Sequence, residues 1–490
     1  MALEEREVAV SLTASALDAL RNVIRGEVFM PGDEGYEAAR HAWNRHVRQR
    51  PAVIVAAADV ADVMVAVRFA RANDLPIAVM RTGHGAVVPC NGGLLLLTER
   101  LQGVTVDPAT QVARVAAGAL WSDVSPVALA HGLTPLVGST PYVSAVGYSL
   151  GGGAGWLARK FGLAVDSVRA FEIVTADGQL RHVTPESEPS LFWVVRGGGG
   201  NFGVVTSLEC QLYPVGELYG GNLFYPIEAA HDVLTTYARW AKTLPDEFTT
   251  SFLMIRFPPM PHIPPALSGK TLCAVRGCYV GAAEAGEALL RPMRAAAPLA
   301  VDAFGPLPAS ELAMIANDPV EPLPMATWTE TLPDLEGQTT EALIRLLASA
   351  PDTPFFAIEV RHLGGSVAIQ APLESAAFSL RDIEFVLFTH GLMAAPELEP
   401  AFTRYFAEVA TTLRPYATGG IYYNFLTYTD TTPERGRATH TPAHYQRLAA
   451  IKAVYDPQNL FRYNPNIAPD ATALAHEVNM ADEAVDARWA

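Results

Sequence analysis

The sequence predicts an α+β protein of two domains, an α/β domain followed by an α+β domain built on an antiparallel sheet. Residues 52–80 alternate strand, helix and strand, which is typical of a parallel βαβ unit. Residues 216–430 change to alternating strands, proline-rich stretches and amphipathic helices. The length of 490 residues also exceeds the usual size of a single domain.

The individual elements follow from local patterns. Between the first two strands, Asp59 or Asp62 can cap a helix whose apolar side chains recur at helical spacing. An amphipathic helix is predicted at 14–23, and further helices at 121–131 and 443–454. Strands are predicted at 52–55, 75–80, 94–97, 113–116, 170–174 and 355–361.

Composition excludes several classes of protein. The net charge of −16 argues against nucleic acid as a partner, because an acidic chain repels phosphate backbones. No run of 18 apolar residues indicates a membrane span, and the first residues show no secretory leader pattern. The four cysteines have no zinc-type spacing, so we expect no metal site and a reducing, cytoplasmic environment.

Three glycine-rich loops carry the chemistry. They read Arg81-Thr82-Gly83-His84-Gly85-Ala86, then GYSLGGGAG at 147–155, then RGGGGNFG at 196–203. Glycines let a backbone approach a bulky ligand closely, and exposed N–H groups bind anions. The first loop follows a predicted strand, where open α/β sheets bind cofactors. The three loops together indicate a large anionic cofactor, with His84 as a nucleophile beside it.

This ordered set of loops resembles the berberine-bridge-enzyme-like FAD-linked oxidases of the vanillyl-alcohol-oxidase superfamily. The segment YDPQNLFR at 455–462 is similar to the closing motif of that family, and the resemblance covers nearly the whole chain. It implies a two-domain flavoprotein. A PCMH-type α/β FAD-binding domain spans 1–215, a substrate-binding cap domain spans 216–430, and the segment 431–490 returns to the FAD domain.

The resemblance implies that His84 bonds covalently to the 8α carbon of FAD. Many relatives carry a second link through a cysteine in the pattern Cys-Pro-x-Val-Gly-x-Gly-Gly-His. Alignment on the glycines 151–153 places Thr140 at that cysteine and Tyr148 at the pattern's histidine. A hydroxyl does not form the thioether, so we expect a single covalent link. Cys90, six residues beyond His84, is expected to be an ordinary loop thiol.

Other residues of the loops are assigned to cofactor binding by the same resemblance. Arg81 could stabilise charge that develops at the flavin, and Tyr148 either donates to the flavin pyrimidine or is a structural loop tyrosine. Loop 199–205 corresponds to the adenine and ribose side, and Asn464 with Asn466 to closing contacts near the flavin ring. The expected contacts are Arg81, Thr82, Gly83, His84, Gly85, Ala86, Gly138, Ser139, Thr140, Val143, Gly147, Tyr148, Gly151, Gly152, Gly153, Gly155, Gly199, Asn201, Phe202, Gly203, Val205, Asn464 and Asn466.

The catalytic base is less well defined by the sequence. Relatives often carry Tyr-x-Asn-Tyr-x-Asp with the last tyrosine as the base, whereas this chain reads YYNFLT at 422–427. Phe425 takes the base position and cannot accept a proton. Strand alternation predicts Tyr422, Asn424 and Leu426 on one face, with Tyr423 and Phe425 on the other. Tyr422 and Asn424 are therefore candidates for substrate hydrogen bonds, and Tyr422 for the base.

Glu359 is a second candidate base. It is predicted to share a strand face with Arg361, either as a solvated ion pair or as a base over the flavin. The latter position resembles the glutamate base of a singly linked flavin-N5-oxide oxygenase in the same superfamily. His362, on the opposite face, is a third candidate.

These assignments predict an FAD-linked oxidase. It would take hydride from an alcohol, a sugar-like compound or a natural product and reduce O2 to H2O2. A flavin-dependent oxygenase acting through a flavin–oxygen adduct, a dehydrogenase with another acceptor, and a flavin-binding protein without turnover are the alternatives. The expected partners are a small-molecule substrate and O2, with neither nucleic acid nor membrane, in a monomer or homodimer.

Overall fold

The computed structural model describes residues 12–261, 263–349, 355–369, 375–426 and 432–472. The expectations for the first residues, for Thr427 and for the last part of 431–490 fall outside these ranges. Three sheets follow one another along the chain, and helices cover them. The predicted α+β architecture with an α/β first part and a large antiparallel sheet is confirmed.

A four-stranded sheet forms first, in the order β1-β2-β4-β3. Both β2 and β3 pair with β4 in parallel, as the βαβ pattern predicts. Asp59 caps the connecting helix by accepting from the Asp62 N–H, whereas the Asp62 carboxylate binds the N–H groups of Arg25 and Gly26. The elements are α1 (Ala14–Val23), β1 (Glu27–Phe29), α2 (Tyr36–Ala39), β2 (Val53–Ala56), α3 (Val60–Ala72), β3 (Ile77–Met80) and β4 (Leu94–Leu97).

A five-stranded antiparallel sheet follows, in the order β5-β6-β9-β7-β8. Strands β5, β8 and β9 are additions to the predicted set. The elements are β5 (Val104–Asp107), β6 (Val112–Ala116), α4 (Trp121–Leu129), α5 (Ala145–Leu150), α6 (Ala158–Phe161), α7 (Ala164–Ser167), β7 (Val168–Val174), β8 (Leu180–Val183), α8 (Pro189–Val195) and β9 (Val204–Gln211).

The third sheet has eight strands and is antiparallel in all its pairings. Its order is β13-β10-β12-β11-β16-β17-β15, with β14 also beside β10. Helices α9, α11 and α13 pack on one face of this sheet through a shared apolar core. The strands are β10 (Leu218–Pro226), β11 (Phe248–Arg256), β12 (Thr271–Val280), β13 (Val301–Asp302), β14 (Gly305–Pro306), β15 (Met325–Leu332), β16 (Phe355–His362) and β17 (Phe385–Leu392). The helices are α9 (Ala230–Ala241), α10 (Ala283–Arg294), α11 (Gln338–Ser349), α12 (Ser366–Ile369) and α13 (Glu399–Leu413).

The chain then returns to the first two sheets through α14 (Pro433–Arg437) and α15 (Pro442–Tyr455). Leu448, Ile451 and Phe461 are buried in the same apolar core as those sheets. The limits of the domains at 215 and 430 remain a prediction. Within the described ranges, no helix combines the length and apolar character needed to cross a bilayer.

Candidate active site

His84 lies in the loop after β3, where two neighbours fix its imidazole. Its Nδ1 is 2.9 Å from Oγ1 of Thr82, and its ring stacks on the indole of Trp43 with centroids 4.3 Å apart. Burial lowers the pKa of His84 to about 4. The imidazole is therefore neutral at physiological pH and keeps a nitrogen lone pair, as a nucleophile requires.

The backbone of this loop requires glycine at Gly83. Its φ is +76°, and a Cβ there would lie 2.6 Å from the Cβ of Ala42. By contrast, a Cβ at Gly85 would meet no atom within 4 Å. Arg81 donates from Nε to the Gly118 carbonyl oxygen at 2.6 Å, which anchors the loop. Its proposed action on flavin charge remains a prediction.

The second glycine loop bends tightly around an aromatic ring. Gly153 has a φ of +80°, and a Cβ there would lie 2.5 Å from the ring of Tyr148. Gly147 differs, because it lies in α5 and a Cβ there would meet nothing closer than 3.7 Å. Thr140 is partly exposed, and Cys90 is fully buried, so burial raises the pKa of its thiol.

The segment predicted as a strand at 422–426 is instead a 3-10 turn at Tyr423–Phe425, so the predicted alternation of faces is wrong. The turn packs Tyr422 against Phe425, with ring centroids 5.1 Å apart. Asn424 links the turn to the second glycine loop. Its Oδ1 accepts from the Gly153 N–H at 3.0 Å, and its Nδ2 donates to the Tyr148 carbonyl oxygen at 2.9 Å. Both ends of the amide are engaged inside the protein, which leaves Asn424 a positioning role.

Two buried tyrosine hydroxyls lie beside the Gly151–Gly153 turn. In the described part of the chain, neither Tyr148 Oη nor Tyr422 Oη has a hydrogen-bond partner. Burial raises the pKa of both phenols, that of Tyr422 well above 10. Both hydroxyls therefore stay protonated and can donate a hydrogen bond, which favours Tyr422 as a donor over Tyr422 as a base.

The third glycine loop is tied to the C-terminal segment. Asn201 donates from Nδ2 to the carbonyl oxygens of Gly198 and Pro465, and its Oδ1 accepts from the Ile467 N–H. Asn464 donates to the Phe461 carbonyl oxygen at 3.3 Å, while Asn466 is exposed. The side chains of Phe202 and Val205 are buried in the core. Any contact of 199–205 with a cofactor must therefore come from backbone groups.

Glu359 lies on the face of the large sheet opposite its helices and is buried there, so the prediction of a solvated ion pair is wrong. Its carboxylate bonds to Arg361 at 3.1 Å and also contacts Arg276. Burial alone raises the pKa of Glu359, but the charges of Arg276 and Arg361 outweigh it and lower the pKa below the usual value. The carboxylate therefore stays ionised.

Arg361 links this face to the second glycine loop. Its Nη1 donates to the Ala154 carbonyl oxygen at 3.3 Å, and its guanidinium carbon lies 5.2 Å from the ring of Trp156 and 5.6 Å from that of Phe425. The structure thus brings Glu359, Tyr422 and the glycine loop into one region. His362 lies on the opposite face, where it stacks on Phe385 with centroids 4.9 Å apart. The structure does not bring it to this group.

Three residues of the region were missed from the sequence. Arg276 is the only charged residue in the apolar strand Thr271–Val280, a signal that could have identified it. Trp156 packs under both arginines, 5.5 Å from the Arg276 guanidinium carbon. Trp43 bonds through its backbone N–H to the Thr82 carbonyl oxygen, and its isolated position gave no signal. No cluster of three metal-binding side chains occurs in the residues the structure describes.

Comparison with known proteins identifies this arrangement. Residues 51–184 match the FAD binding domain family, and residues 422–468 match the berberine and berberine-like family. An FAD-linked oxidoreductase of Dictyostelium discoideum is 29% identical over 91% of this chain and 95% of its own length. The (R)-6-hydroxynicotine oxidase of Paenarthrobacter nicotinovorans is 28% identical over 92% of this chain and 98% of its own length. The crystal structure of 6-hydroxy-D-nicotine oxidase from Arthrobacter nicotinovorans has a TM-score of 0.78 at 27% identity and covers 91% of this chain and 98% of its own.

These matches support a berberine-bridge-enzyme-like FAD-linked oxidoreductase. Its residues fit FAD, because the Gly85 backbone faces open space, where a Cβ would meet no atom within 4 Å, and the buried hydroxyls of Tyr148 and Tyr422 have no acceptor among the described residues. The neutral His84 imidazole at the first loop keeps a nitrogen lone pair. This protein is therefore an enzyme of redox chemistry that uses FAD.

Proposed function

We propose that this oxidoreductase is an oxidase that holds FAD through one covalent bond from His84. The observation that carries the proposal is the fixed, neutral imidazole. Thr82 and Trp43 set its orientation, and its pKa of about 4 keeps it unprotonated. Thr140 stands where a second, cysteine link would be, so the proposal is for a single link.

The remaining loops would hold the rest of the cofactor. The turn around Gly153 would pass along the cofactor with its own Gly152 and Gly153 N–H groups held by Ser149 and Asn424, and the Tyr148 and Tyr422 hydroxyls would offer protons to polar atoms of the ring. Bound FAD supplies a two-electron acceptor for hydride from a substrate C–H and a donor to O2, with H2O2 as product. Asn424 and Arg361 fix the glycine loop against the large sheet, which sets the position of the substrate.

Glu359 is the proposed proton acceptor. It is ionised and buried beside the loop, whereas Tyr422 keeps its proton because burial raises its pKa. A carboxylate with a lowered pKa takes up a proton reluctantly, so the neighbouring arginines limit how strong a base Glu359 can be. Such a base suits a substrate whose own proton is acidic, such as a phenol, an enol or a 1,3-dicarbonyl compound, better than a simple alcohol.

Of the substrate classes expected from the sequence, an alcohol, a sugar-like compound or a natural product, the proposal is a small natural product. One relative activity, found both as a curated sequence and as a crystal structure that match over most of their lengths, is named for the oxidation of 6-hydroxynicotine. The aromatic rings of Trp156, Phe388 and Phe425 around Arg361 support a cyclic, unsaturated substrate over a flexible sugar chain.

One observation favours a second candidate function. Phe425 replaces the tyrosine that relatives use as a base, and Glu359 is a weak one. Both features suit an oxygenase that transfers an oxygen atom from O2 to an acidic carbon. Mass balance with labelled O2 separates the two, since an oxidase leaves the label in H2O2 and an oxygenase places it in the organic product.

The first test is the intact mass and absorbance of the denatured protein. We expect the added mass of FAD and a retained yellow colour, and their loss in His84→Ala. Thr140→Ala is the matched control and should keep the full added mass. A His84→Ala protein that retains flavin through acid precipitation contradicts the proposed link.

A further inference from the structure

We propose that the sheet face around Arg276 and Glu359 binds the anionic group of the substrate, a carboxylate or an ionised phenol carried on an apolar skeleton. The proposal rests on the function proposed above and names its substrate class. The first step is the charge balance. Two guanidinium groups, Arg276 and Arg361, contact one carboxylate, Glu359, and all three side chains are at least nine-tenths buried. One positive charge is in excess.

In the described part of the chain, the charge of Asp318 acts on His390 beside the cluster, but Asp318 is not paired with either arginine. The cluster forms ion pairs with no further carboxylate there. His390, on the same face of the neighbouring strand β17, is neutral because burial lowers its pKa to about 4. A buried charge without a partner is costly, and proteins pair such charges or bind a counter-charge to them.

The second step is the inventory of donors. Arg361 uses all three of its nitrogens, because Nε and Nη2 bond to Glu359 and Nη1 bonds to the Ala154 carbonyl oxygen, which leaves a single N–H on each of Nη1 and Nη2. Arg276 bonds from Nε to Ser251 Oγ at 3.2 Å and from Nη2 to Glu359. Its Nη1 binds no acceptor among the described residues. The excess charge therefore coincides with an unused N–H pair on Arg276, which suits an incoming anion.

The third step is the apolar surface beyond the cluster. The strand registers pair Leu253 with Glu359 and with Ala274, so positions two residues apart continue the same face. Along that face the side chains are apolar, and they become partly exposed towards the strand ends at Ile255 and Phe257. Met254 points the other way, into the core under the helices. This sheet face is thus charged around Arg276 and Glu359 and apolar towards the strand ends, which fits an acid group on an aromatic or aliphatic body.

The test uses benzoate and benzamide as probes, which have one ring and similar size but differ in charge. Both are titrated by calorimetry into the FAD-loaded protein at neutral pH. We expect benzoate to bind at least about tenfold more tightly than benzamide, the factor that a charge-assisted hydrogen bond contributes. Equal affinities, or tighter binding of benzamide, overturn the proposal.

Variants locate the effect. Arg276→Gln should remove the preference for benzoate, and Arg276→Lys, which keeps the charge, should restore most of it. Arg114→Gln is the control for general charge loss, because Arg114 is a partly exposed arginine paired with Glu172 and Glu209. A preference that survives in Arg276→Gln shows that benzoate binds elsewhere and contradicts the assignment. If the protein carries covalent FAD but binds benzoate and benzamide equally well, this inference is wrong while the proposed function stands. If the protein carries no covalent FAD, the proposed function itself is wrong.

Discussion

Two buried ionic groups in this protein differ in one respect. Lys452 and Asp456 are fully buried and form a complete neutral set, in which Lys452 also donates to the Asn201 carbonyl oxygen and Asp456 accepts from the Leu460 and Phe461 N–H groups. The cluster around Glu359 has one positive charge in excess and an unused donor on Arg276. A complete set fixes structure, whereas an incomplete one is suited to binding.

This comparison predicts a large loss of stability when the complete set is broken. Lys452→Met leaves the Asp456 carboxylate buried without a counter-charge, and we expect the free energy of unfolding to fall by about 3–5 kcal/mol. Lys242→Met is the control, since Lys242 and Glu336 form an exposed pair whose loss should cost about 1 kcal/mol or less. Urea unfolding of both variants measures the difference. Equal falls in the free energy of unfolding would show that the buried pair of Lys452 and Asp456 contributes no more to stability than an exposed pair.

A second prediction contrasts two glycines of one loop. Gly153→Ala forces a side chain into a left-handed backbone against Tyr148, so the free energy of unfolding should fall by about 2 kcal/mol or more, with reduced FAD content. Gly147→Ala lies in a helix with open space around it and should gain about 0.5 kcal/mol. Thermal unfolding and flavin absorbance report both values. FAD loss in Gly147→Ala would instead show that the cofactor approaches this backbone closely.

A third prediction concerns the cluster around Glu359, which has one positive charge in excess. Glu359→Gln removes the negative charge of the cluster, so the affinity for benzoate should rise about tenfold, opposite in sign to Arg276→Gln. Calorimetric titration of the two variants checks the sign. If Glu359 also accepts the substrate proton, turnover in the same variant should fall by about 10²–10⁴-fold. If Glu359→Gln binds benzoate more tightly but turns over substrate at an unchanged rate, Glu359 affects binding and does not accept the substrate proton.

The smallest expected effect is that of pH on flavin attachment. Because burial lowers the pKa of His84 from 6.5 to about 4, the folded protein keeps this imidazole neutral while an unfolded chain protonates it as pH falls below 6.5. The rate at which FAD bonds to apoprotein, followed by mass, should therefore be flat from pH 8 to 5.5. For an ordinary exposed histidine, the neutral fraction, and with it the rate, would fall about tenfold by pH 5.5. A rate that falls with a midpoint near 6.5 would contradict the lowered pKa of His84.

The sequence predicted the elements whose signals are local. Helix α1, the Asp59 cap and the strand before His84 follow from neighbouring residues, and the glycine loops are contiguous. The turn at Tyr423–Phe425 was misassigned because alternating aromatic residues suggest a strand, while the bonds of Asn424 to Gly153 and Tyr148 bend the chain. The Arg276 contact with Glu359 joins residues 83 positions apart, and only sheet register reveals it.

The measurement that tests the account most directly is peptide mapping of the trypsin-digested wild-type protein by mass spectrometry. The account predicts one flavin-bearing peptide, which begins at Thr82, with fragment ions that place the added mass on His84. Flavin mass on Cys90 or at Thr140, or a digest whose 82–100 peptide carries no added mass, would contradict it.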